Sequence, residues 1–265
     1  MKNKKANKKT LTIVIPVYNE KQRIGKALHA LEQGFIYPGI KLERIIFVND
    51  GSTDRTVAII TRAAQKLKSI LKAAIDIVSY SENQGKGYAI RTGLARATSD
   101  YVLFMDADMS TPLTEFRKFL PYIHEHIPVV IGTRRNGHST VIKHQPLIRE
   151  VLGRGFTLLS QVILQTWVSD FTCGFKLFSR EAKDAILKRA YVNGWGYDAE
   201  FIFLARTEGF TIQQCPVLWS DDKRSKVHIV QAVLTTLHEL LMIRFYHAKP
   251  ITPQKTLALL LNSTK

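Results

Sequence analysis

The chain has 265 residues, 45% of them hydrophobic, which is enough for one large α/β domain with a sizeable core. Two cysteines are too few for a disulfide framework and favour a reducing compartment, and no stretch has the roughly 18–20 consecutive apolar residues of a membrane span. The 38 basic and 22 acidic residues give a formal charge of +16, which indicates an anionic partner: nucleic acid, an anionic membrane surface or a phosphorylated substrate.

Strand-like and helix-like segments alternate along the first half of the chain. Apolar or β-branched runs predict strands at 11–17, 44–48, 74–78, 101–105 and 129–132. Apolar residues at helical spacing predict helices that begin near Ile24, Val57, Gly87 and Pro112. This alternation predicts an α/β fold in which a mostly parallel sheet has helices on both faces.

The chain shows no internal repeat and no low-complexity linker, so we predict one main domain. We interpret residues 1–10 as a disordered, lysine-rich tail, residues 11–247 as the domain and residues 248–265 as a C-terminal tail. The part after about Gly137 is interpreted as an extension built on the sheet.

Two aspartates directly follow the apolar strand predicted at 101–105. Asp106 and Asp108 are one residue apart, so on extended backbone their side chains leave the same face. Ligands of open α/β sheets bind at the carboxyl ends of the strands, and hard divalent cations commonly take carboxylates together with diphosphate oxygens. The pair therefore predicts a metal site. The alternative is a strand end with two solvated aspartates, in which Asp108 caps the next helix.

Polar loops after the first two predicted strands should gather at the same edge of the sheet. The first loop carries Asn19 and Glu20, and the second carries Asp50. A carboxylate at a strand end can accept hydrogen bonds from a ribose hydroxyl or from the N–H of a base. Asp54, at the end of the second loop, is better placed to cap the following helix.

A third loop, at 83–87, places Lys86 between two glycines at the start of a predicted helix. Backbone N–H groups and one ammonium group in such a loop can hold a phosphate. The spacing matches neither a Walker loop nor a dinucleotide fingerprint, and the alternative is an ordinary flexible turn.

Four short motifs occur in a fixed order along this half of the chain. They are Pro-Val-Tyr-Asn-Glu at 16–20, Asn-Asp-Gly-Ser-Thr-Asp at 49–54, Asn-Gln-Gly-Lys-Gly at 83–87 and Asp-Ala-Asp at 106–108. In order and spacing they resemble the motifs of glycosyltransferase family 2. Further similarity to its polyprenyl-phosphate branch, closest to the dolichyl-phosphate beta-glucosyltransferases, lies at 132–135, 169–178, 196–200 and 225–227. The resemblance implies a GT-A, Rossmann-like fold with amphipathic helices at its C-terminal side.

The resemblance also implies an activity. An inverting glycosyltransferase would move a hexose from a UDP- or GDP-sugar to a membrane polyprenyl phosphate, with glucose favoured over mannose because the run 169–178 is more similar to the glucosyl branch. The Gln-x-x-Arg-Trp signature of processive synthases is absent, which argues against a polysaccharide synthase.

Individual residues acquire roles from the same resemblance. The nucleotide-sugar pocket would be formed by Pro16, Tyr18, Glu20, Asp50, Lys86 and Asp106. Asp106 and Asp108 would hold Mg²⁺ or Mn²⁺, and Ser110 occupies the position at which mannosyltransferase relatives have a glutamine ligand. The acceptor phosphate would contact Arg134, Lys176 and Lys226. The predicted catalytic residues are Asp108, Arg134 and Asp198.

The acceptor decides whether the reaction needs a base. A sugar or protein hydroxyl must lose a proton, and Asp198 or Glu200 would then act as general base. A lipid phosphate is already ionised at neutral pH and needs cations such as Arg134, Arg135 or Lys176 instead. Asp198 and Glu200 have a structural alternative, which is a place in the first turn of a helix, where the dipole favours negative charge. The structural alternative for Arg134 is a surface ion pair.

Two apolar stretches, 151–168 and 227–245, bear on membrane contact. Each is either an interfacial helix, lying on a bilayer beside the lysine-rich tail, or a core helix of the domain. With a lipid acceptor we expect a peripheral protein on the cytoplasmic, inner face of the membrane. A glycosyltransferase acting on a hydroxyl is the first alternative. A basic nucleic-acid-binding protein is the second, and we expect no nucleic-acid partner because no recognition motif is present.

Overall fold

The computed structural model describes residues 8–135, 139–143, 147–221 and 229–247. Its strands are β1 (Lys9–Val17), β2 (Ile40–Asp50), β3 (Ala74–Tyr80), β4 (Tyr101–Met105), β5 (Val129–Thr133), β6 (Thr140–Lys143), β7 (Phe175–Ser179), β8 (Ile212–Pro216) and β9 (Leu218–Ser220). Its α-helices are α1 (Ile24–Glu32), α2 (Thr56–Leu71), α3 (Lys86–Arg96), α4 (Leu120–His124), α5 (Leu147–Leu164), α6 (Arg180–Leu187), α7 (Tyr197–Thr207) and α8 (Ile229–Tyr246). The predicted C-terminal tail and residues 1–7 of the N-terminal tail lie outside the described residues, and β1 begins at Lys9, within the predicted tail.

The main sheet has seven strands in the order β3-β2-β1-β4-β7-β5-β8. Parallel pairing joins β1 to β2 and β4, β2 to β3, and β5 to β8. Only β7 in this sheet of the described residues runs antiparallel to its neighbours, β4 and β5. The prediction of a mostly parallel α/β sheet is therefore confirmed. A separate two-stranded sheet pairs β6 with β9.

Helices on both faces of the sheet explain the continuous apolar runs of the strands. Along β1, Ile13 and Ile15 pack into one core cluster with α1 and α2, whereas Val14 packs into the other with α3, α6 and α7. In β4, Leu103 and Phe104 divide between the two clusters in the same way. A strand that is buried on both faces has no solvent-facing positions, so polar residues do not alternate with apolar ones.

The helix predicted from Pro112 is divided in two. Leu113–Phe119 forms a 3₁₀ helix, and the α-helix begins afresh at Leu120 and ends at His124. A continuous α-helix would require the backbone nitrogen of residue 121 to donate to the carbonyl oxygen of Arg117. Pro121 has no N–H, and it occupies the first turn of the new helix, where no such bond is needed.

The second half of the chain does more than extend the sheet, because it supplies one of the central strands. β7 lies between β4 and β5, with Phe175 and Leu177 in one core cluster and Phe178 in the other. Its remaining inner residue is Lys176, which is fully buried. A lysine usually indicates an exposed position, so the sequence pattern alone did not predict a buried strand here.

Candidate active site

The loops that follow β1 and β2 lie together at the carboxyl edge of the sheet. The side-chain oxygen Oδ1 of Asn19 accepts a hydrogen bond from the Thr53 backbone N–H at 2.9 Å, and the Asn19 N–H donates to Ser52 Oγ at 3.0 Å. The Glu20 N–H donates to Thr56 Oγ1, at the start of α2, at 2.8 Å. These contacts join the first two predicted motifs into one wall.

Three residues of the first motif were predicted to line the nucleotide pocket. Pro16 lies within β1, opposite Val48 of β2. Tyr18 follows the strand and is exposed, and Glu20 is half-buried and forms a double hydrogen bond with Arg23. Burial raises the pKa of Glu20, and the Arg23 guanidinium opposes this effect.

Asp50 is buried at the end of β2, and its carboxylate organises the third loop. Oδ1 accepts from the Gln84 N–H at 2.8 Å, and Oδ2 accepts from Asn83 Nδ2 at 2.9 Å and from the Gly85 N–H at 3.1 Å. The loop is thereby fixed immediately before Lys86. The predicted contact of Asp50 with the base stays a prediction, and three acceptor positions of the carboxylate are already used within the protein.

Asp106 is the first acid beyond β4, and its carboxylate pairs with Lys86 at 2.7 Å. Its backbone N–H donates to the carbonyl oxygen of Gly174 at 3.1 Å. A Cβ atom at residue 174 would lie 1.9 Å from Asp106 Oδ2, so only glycine allows this approach. The loop before β7 therefore fixes the position of Asp106.

Asp108 is held by the turn that it begins and by a cation. Its Oδ1 accepts from the Ser110 N–H at 3.0 Å, while the backbone of Met109 has a positive φ of 58°. Its Oδ2 lies 3.4 Å from Arg23 Nη1. Arg23 therefore connects Glu20 with Asp108 and places a positive charge beside both of these carboxylates.

The acids fit a hard divalent cation. The side chains of Asp106 and Asp108 are 28% and 20% exposed, so both carboxylates can be reached from solvent. Among the described residues, no group of three or more His, Cys, Asp or Glu side chains could hold a metal ion. The protein would thus supply the two carboxylates, and diphosphate oxygens and water would complete the coordination.

Asp198 and Lys176 form a buried ion pair behind the acids. Lys176 Nζ donates to Asp198 Oδ1 at 2.5 Å and to the Cys173 carbonyl oxygen at 2.6 Å, and it lies 5.2 Å from the centre of the Phe104 ring. Burial raises the pKa of Asp198, while the charges of Lys176 and Lys86 act against this effect. Lys176 is fully buried and Asp198 nearly so, which limits what either side chain can offer to a substrate.

Arg134, at the end of β5, also has a buried carboxylate partner. Its Nε and Nη2 donate to the two carboxylate oxygens of Asp170 at 2.7 and 2.8 Å, and its guanidinium lies 5.1 Å from the centre of the Trp219 ring. Burial raises the pKa of Asp170, but the charge and hydrogen bonds of Arg134, together with the charge of Arg135, outweigh this effect and hold the pKa well below its ordinary value. The ion pair considered from sequence exists, but Asp170 is fully buried and only the Arg134 side chain, at 13% exposure, reaches the surface.

The remaining candidates have structural contacts or lie outside the described residues. Arg135 Nη1 donates to the Gly153 carbonyl oxygen at 2.8 Å, which ties the end of β5 to α5. Glu200 is buried and accepts from the backbone N–H groups of Tyr191 and Val192, each at 3.0 Å. Lys226 falls in the undescribed range 222–228.

The structure adds participants that the sequence did not single out. Arg23 follows Glu20 by three residues, a spacing that brings side chains together on a helical turn, so the signal was present. Gly174 stands within the quoted run 169–178, but nothing in the sequence reveals which atom it must approach. Asp170 is likewise known as the partner of Arg134 only once β5 and the loop before β7 are in place.

Helices α5 and α8 pack against each other and both expose apolar side chains. The exposed apolar residues on and directly after these helices are Val151, Leu158, Leu159, Val162, Trp167, Leu237, Leu241, Phe245 and Tyr246. Trp167 is 68% exposed and Phe245 is 75% exposed. We call this set the α5/α8 apolar surface. No helix among the described residues is both long and apolar enough to cross a membrane.

Comparison with known proteins identifies the relatives of this chain. The family model described as Glycosyl transferase family 2 matches residues 12–187. A dolichyl-phosphate beta-glucosyltransferase from Trichomonas vaginalis is 29% identical, and the match covers 89% of this chain and 73% of the relative. The Saccharomyces cerevisiae protein of the same name is 30% identical, with 88% and 74% covered. The Homo sapiens protein is 28% identical, with 89% and 75% covered.

Solved structures share the fold at lower identity. Glucosyl-3-phosphoglycerate synthase from Mycobacterium tuberculosis in complex with UDP aligns with a TM-score of 0.65 at 19% identity, over 89% of this chain and 80% of that one. Its complex with Mn²⁺, UDP and glucosyl-3-phosphoglycerate aligns with a TM-score of 0.64, over 91% and 82%. The predicted GT-A fold is confirmed by these likenesses together with the sheet order.

Proposed function

Since the chain belongs to glycosyl transferase family 2 and is a glycosyltransferase, we propose that it transfers glucose, with inversion, from UDP-glucose to a polyprenyl phosphate. The observation that carries this proposal is the pair Asp106 and Asp108 at the end of β4, beside Lys86 and Arg23. The names of the relatives support a dolichyl-type acceptor and glucose as the sugar.

The departing nucleoside diphosphate sets the first chemical requirement. A divalent cation, Mg²⁺ or Mn²⁺, held by Asp106 and Asp108 would neutralise the charge that develops on the diphosphate. Lys86 lies at the N-terminus of α3, where the helix dipole favours an anion. Its ammonium group adds a positive charge on the same side of Asp106. The interlocked loops of the first two motifs hold the nucleoside portion.

The acceptor sets the second requirement. Asp198 is the base that a hydroxyl acceptor would need, and its carboxylate is buried and hydrogen-bonded to Lys176. This pairing favours a phosphate acceptor, which is already ionised and needs no base. Lys176 is fully buried by the same pairing, so Arg134 is the better candidate for a contact with the acceptor phosphate. In this proposal Asp198 fixes the position of Lys176 in the core.

The membrane is the proposed location of the acceptor. The α5/α8 apolar surface supports peripheral contact with a bilayer, because helices that expose apolar side chains can insert them among lipid headgroups. The high positive charge of the chain favours anionic lipid. The inner, cytoplasmic face of the membrane remains the predicted side.

A transfer assay tests the proposal. The full chain is incubated with radiolabelled UDP-glucose and a short polyprenyl phosphate, with Mg²⁺ or Mn²⁺ or with EDTA, and GDP-mannose serves as the competing donor. We expect label from UDP-glucose to enter the organic phase only when metal is present. Label that stays in the aqueous phase would contradict the lipid acceptor, and transfer in EDTA would contradict the metal.

Asp108→Asn provides the matching variant, because it keeps the shape of the side chain and removes its charge. We expect transfer to fall by about 100-fold or more. Asp76→Asn is the control: Asp76 belongs to β3, at the edge of the sheet, and pairs with the partly exposed Arg44. Full activity of Asp108→Asn would overturn the proposed metal site.

A further inference from the structure

The segment 191–196 joins α6 to α7 and has no helix or strand of its own. It leads directly into Tyr197 and Asp198, at the start of α7. Trp195 in this segment lies beside Lys86, whose Nζ is 5.4 Å from the centre of the indole ring. The segment therefore reaches both the buried ion pair and the lysine that faces Asp106.

The segment is bonded to the start of α3, which carries Lys86. The Asn193 carbonyl oxygen accepts hydrogen bonds from the backbone N–H groups of Gly87 at 2.8 Å and Tyr88 at 3.3 Å. A Cβ atom at Gly85 would lie 2.4 Å from the same carbonyl oxygen, so the two backbones are in close contact. Any shift of the segment must therefore shift the backbone next to Lys86.

Glu239 of α8 holds the segment from the opposite side. Its Oε2 accepts from the Gly196 N–H at 2.7 Å, and its carboxylate also accepts a hydrogen bond from the backbone of Gly194. Cβ atoms at these two positions would lie 2.1 Å from Oε1, for Gly194, and 2.8 Å from Oε2, for Gly196. Two glycines thus leave room for one carboxylate that binds both backbone N–H groups.

A second contact joins the C-terminal end of α8 to the start of the segment. His247 Nε2 lies 2.8 Å from Glu200 Oε1, and Glu200 binds the N–H groups of Tyr191 and Val192. Arg189 donates to the His247 carbonyl oxygen at 3.1 Å. The helix is therefore fixed to both ends of the segment, while its opposite face contributes to the α5/α8 apolar surface.

We propose that Glu239 is a positioning residue for glycosyl transfer, which acts through the segment 191–196 to place Lys86 against the departing diphosphate. The inference rests on the proposed function for the identity of the reaction. It makes α8 the connection between the apolar surface and the charged site. A shift of α8 would therefore change the position of Lys86, although α8 itself contacts neither substrate.

Glu239→Ala removes the carboxylate, and Glu239→Gln retains one acceptor oxygen for Gly196. We expect kcat to fall by about 10-fold or more for the alanine variant, because small displacements of charged groups at a reacting centre are costly, with partial recovery for glutamine. The KM for the lipid acceptor should remain nearly unchanged, since Glu239 does not face the acceptor. Thr235→Ala, an exposed position on the same helix, is the control and should retain full activity.

A double-mutant cycle separates positioning from a general loss of structure. If Glu239 acts through Lys86, adding Glu239→Ala to Lys86→Met should lower kcat by less than twofold beyond the single Lys86→Met variant. Independent effects that multiply would overturn the inference, as would full activity of Glu239→Ala. Thermal unfolding of each variant identifies any that fail to fold. If Glu239→Ala does not fold, the same comparison is made with Glu239→Gln.

Binding of UDP, measured by calorimetry with Mn²⁺, provides a readout that does not require the lipid. Each single variant should weaken UDP binding by about 10-fold, the effect of one lost charge-assisted contact, and the double variant by no more. Lack of transfer by the wild-type chain would count against the proposed function alone. Unchanged UDP binding in Glu239→Ala would count against the role of Glu239.

Discussion

At the scale of single residues, the site depends on charges that are taken out of water in pairs. Arg134 with Asp170 and Lys176 with Asp198 are buried ion pairs, each completed by hydrogen bonds. Such pairs contribute little net stability compared with apolar side chains of the same size, but removing one partner leaves the other charge buried and uncompensated. They fix the geometry around the proposed metal site, and they tolerate substitution poorly.

Asp170→Asn tests how much stability is lost when one partner of such a pair is removed. The free energy of unfolding is expected to fall by about 3–5 kcal/mol, because the Arg134 guanidinium loses its buried counter-ion. Urea denaturation followed by circular dichroism measures the change. Asp76→Asn, which removes the charge of a partly exposed pair with Arg44, should change the free energy of unfolding by less than about 1 kcal/mol. Equal losses in the two variants would contradict the prediction.

The same variant should also change how the free energy of unfolding depends on pH. The pKa of Asp170 is lowered in the folded state, so its contribution to stability is complete above its unfolded pKa of about 4. That contribution is lost as the pH falls from about 4 toward the folded pKa. Asp170→Asn should therefore have a shallower decline in unfolding free energy below pH 4 than the wild type.

Much of the site at this scale could be predicted from the sequence, because its signals are local. Asp106 and Asp108 follow an apolar run, and Lys86 stands between glycines, so each is recognisable within a few residues. The partners could not be predicted in this way. Asp170 is 36 residues from Arg134, and Lys176 had no sign of its contact with Asp198. A contact between distant segments becomes visible only when the sheet brings them together.

At the scale of elements, β7 and the loop before it control the position of the first acid. The strand places Gly174 against Asp106, and it pairs with the full length of β4. Short apolar runs do not specify which strand will be their neighbour, and a parallel arrangement was expected from the alternation of strands and helices. The antiparallel insertion of β7 therefore lay beyond what the local pattern could predict.

Gly174→Ala tests this arrangement. The added Cβ would lie 1.9 Å from Asp106 Oδ2, so the carboxylate must move. We expect transfer to fall by about 10- to 100-fold, and Mn²⁺ binding to weaken in parallel, measured by electron paramagnetic resonance. Gly155→Ala in α5 is the control, since no atom lies within 4 Å of the added group. Its activity should not change, and unaltered metal binding in Gly174→Ala would contradict the prediction.

At the scale of the whole molecule, two kinds of surface are distributed around one sheet. The acids and their cations lie at the carboxyl edge, while α5 and α8 present apolar side chains to solvent. The sequence left open whether these helices were interfacial or core. The structure gives each helix a buried side and an exposed apolar side, as with Leu240 and Leu241 on α8. Hydrophobic periodicity in the sequence could not distinguish an interfacial helix from a core helix, because both sides of each helix are apolar.

Co-sedimentation with vesicles that contain anionic lipid tests the α5/α8 apolar surface. The double variant Leu158→Glu and Val162→Glu should bind about 100-fold more weakly or worse, because it replaces two apolar contacts worth roughly 1.5–3 kcal/mol each with charges. The control is Ile36→Glu, which changes an apolar residue that is 94% exposed in another part of the molecule. Equal binding by all three proteins would argue against this surface as the membrane contact.

The strand order has a consequence for synthesis of the chain. Because β7 separates β4 from β5, a nascent polypeptide that ends before Phe175 leaves one side of Tyr101–Met105 without backbone partners. An unpaired strand edge is a template for association with other chains, and closing it requires a contact between segments that are distant in sequence, which is slow. The strand that precedes the two proposed metal-binding acids therefore stays open to wrong pairing on the ribosome until β7 has been synthesised.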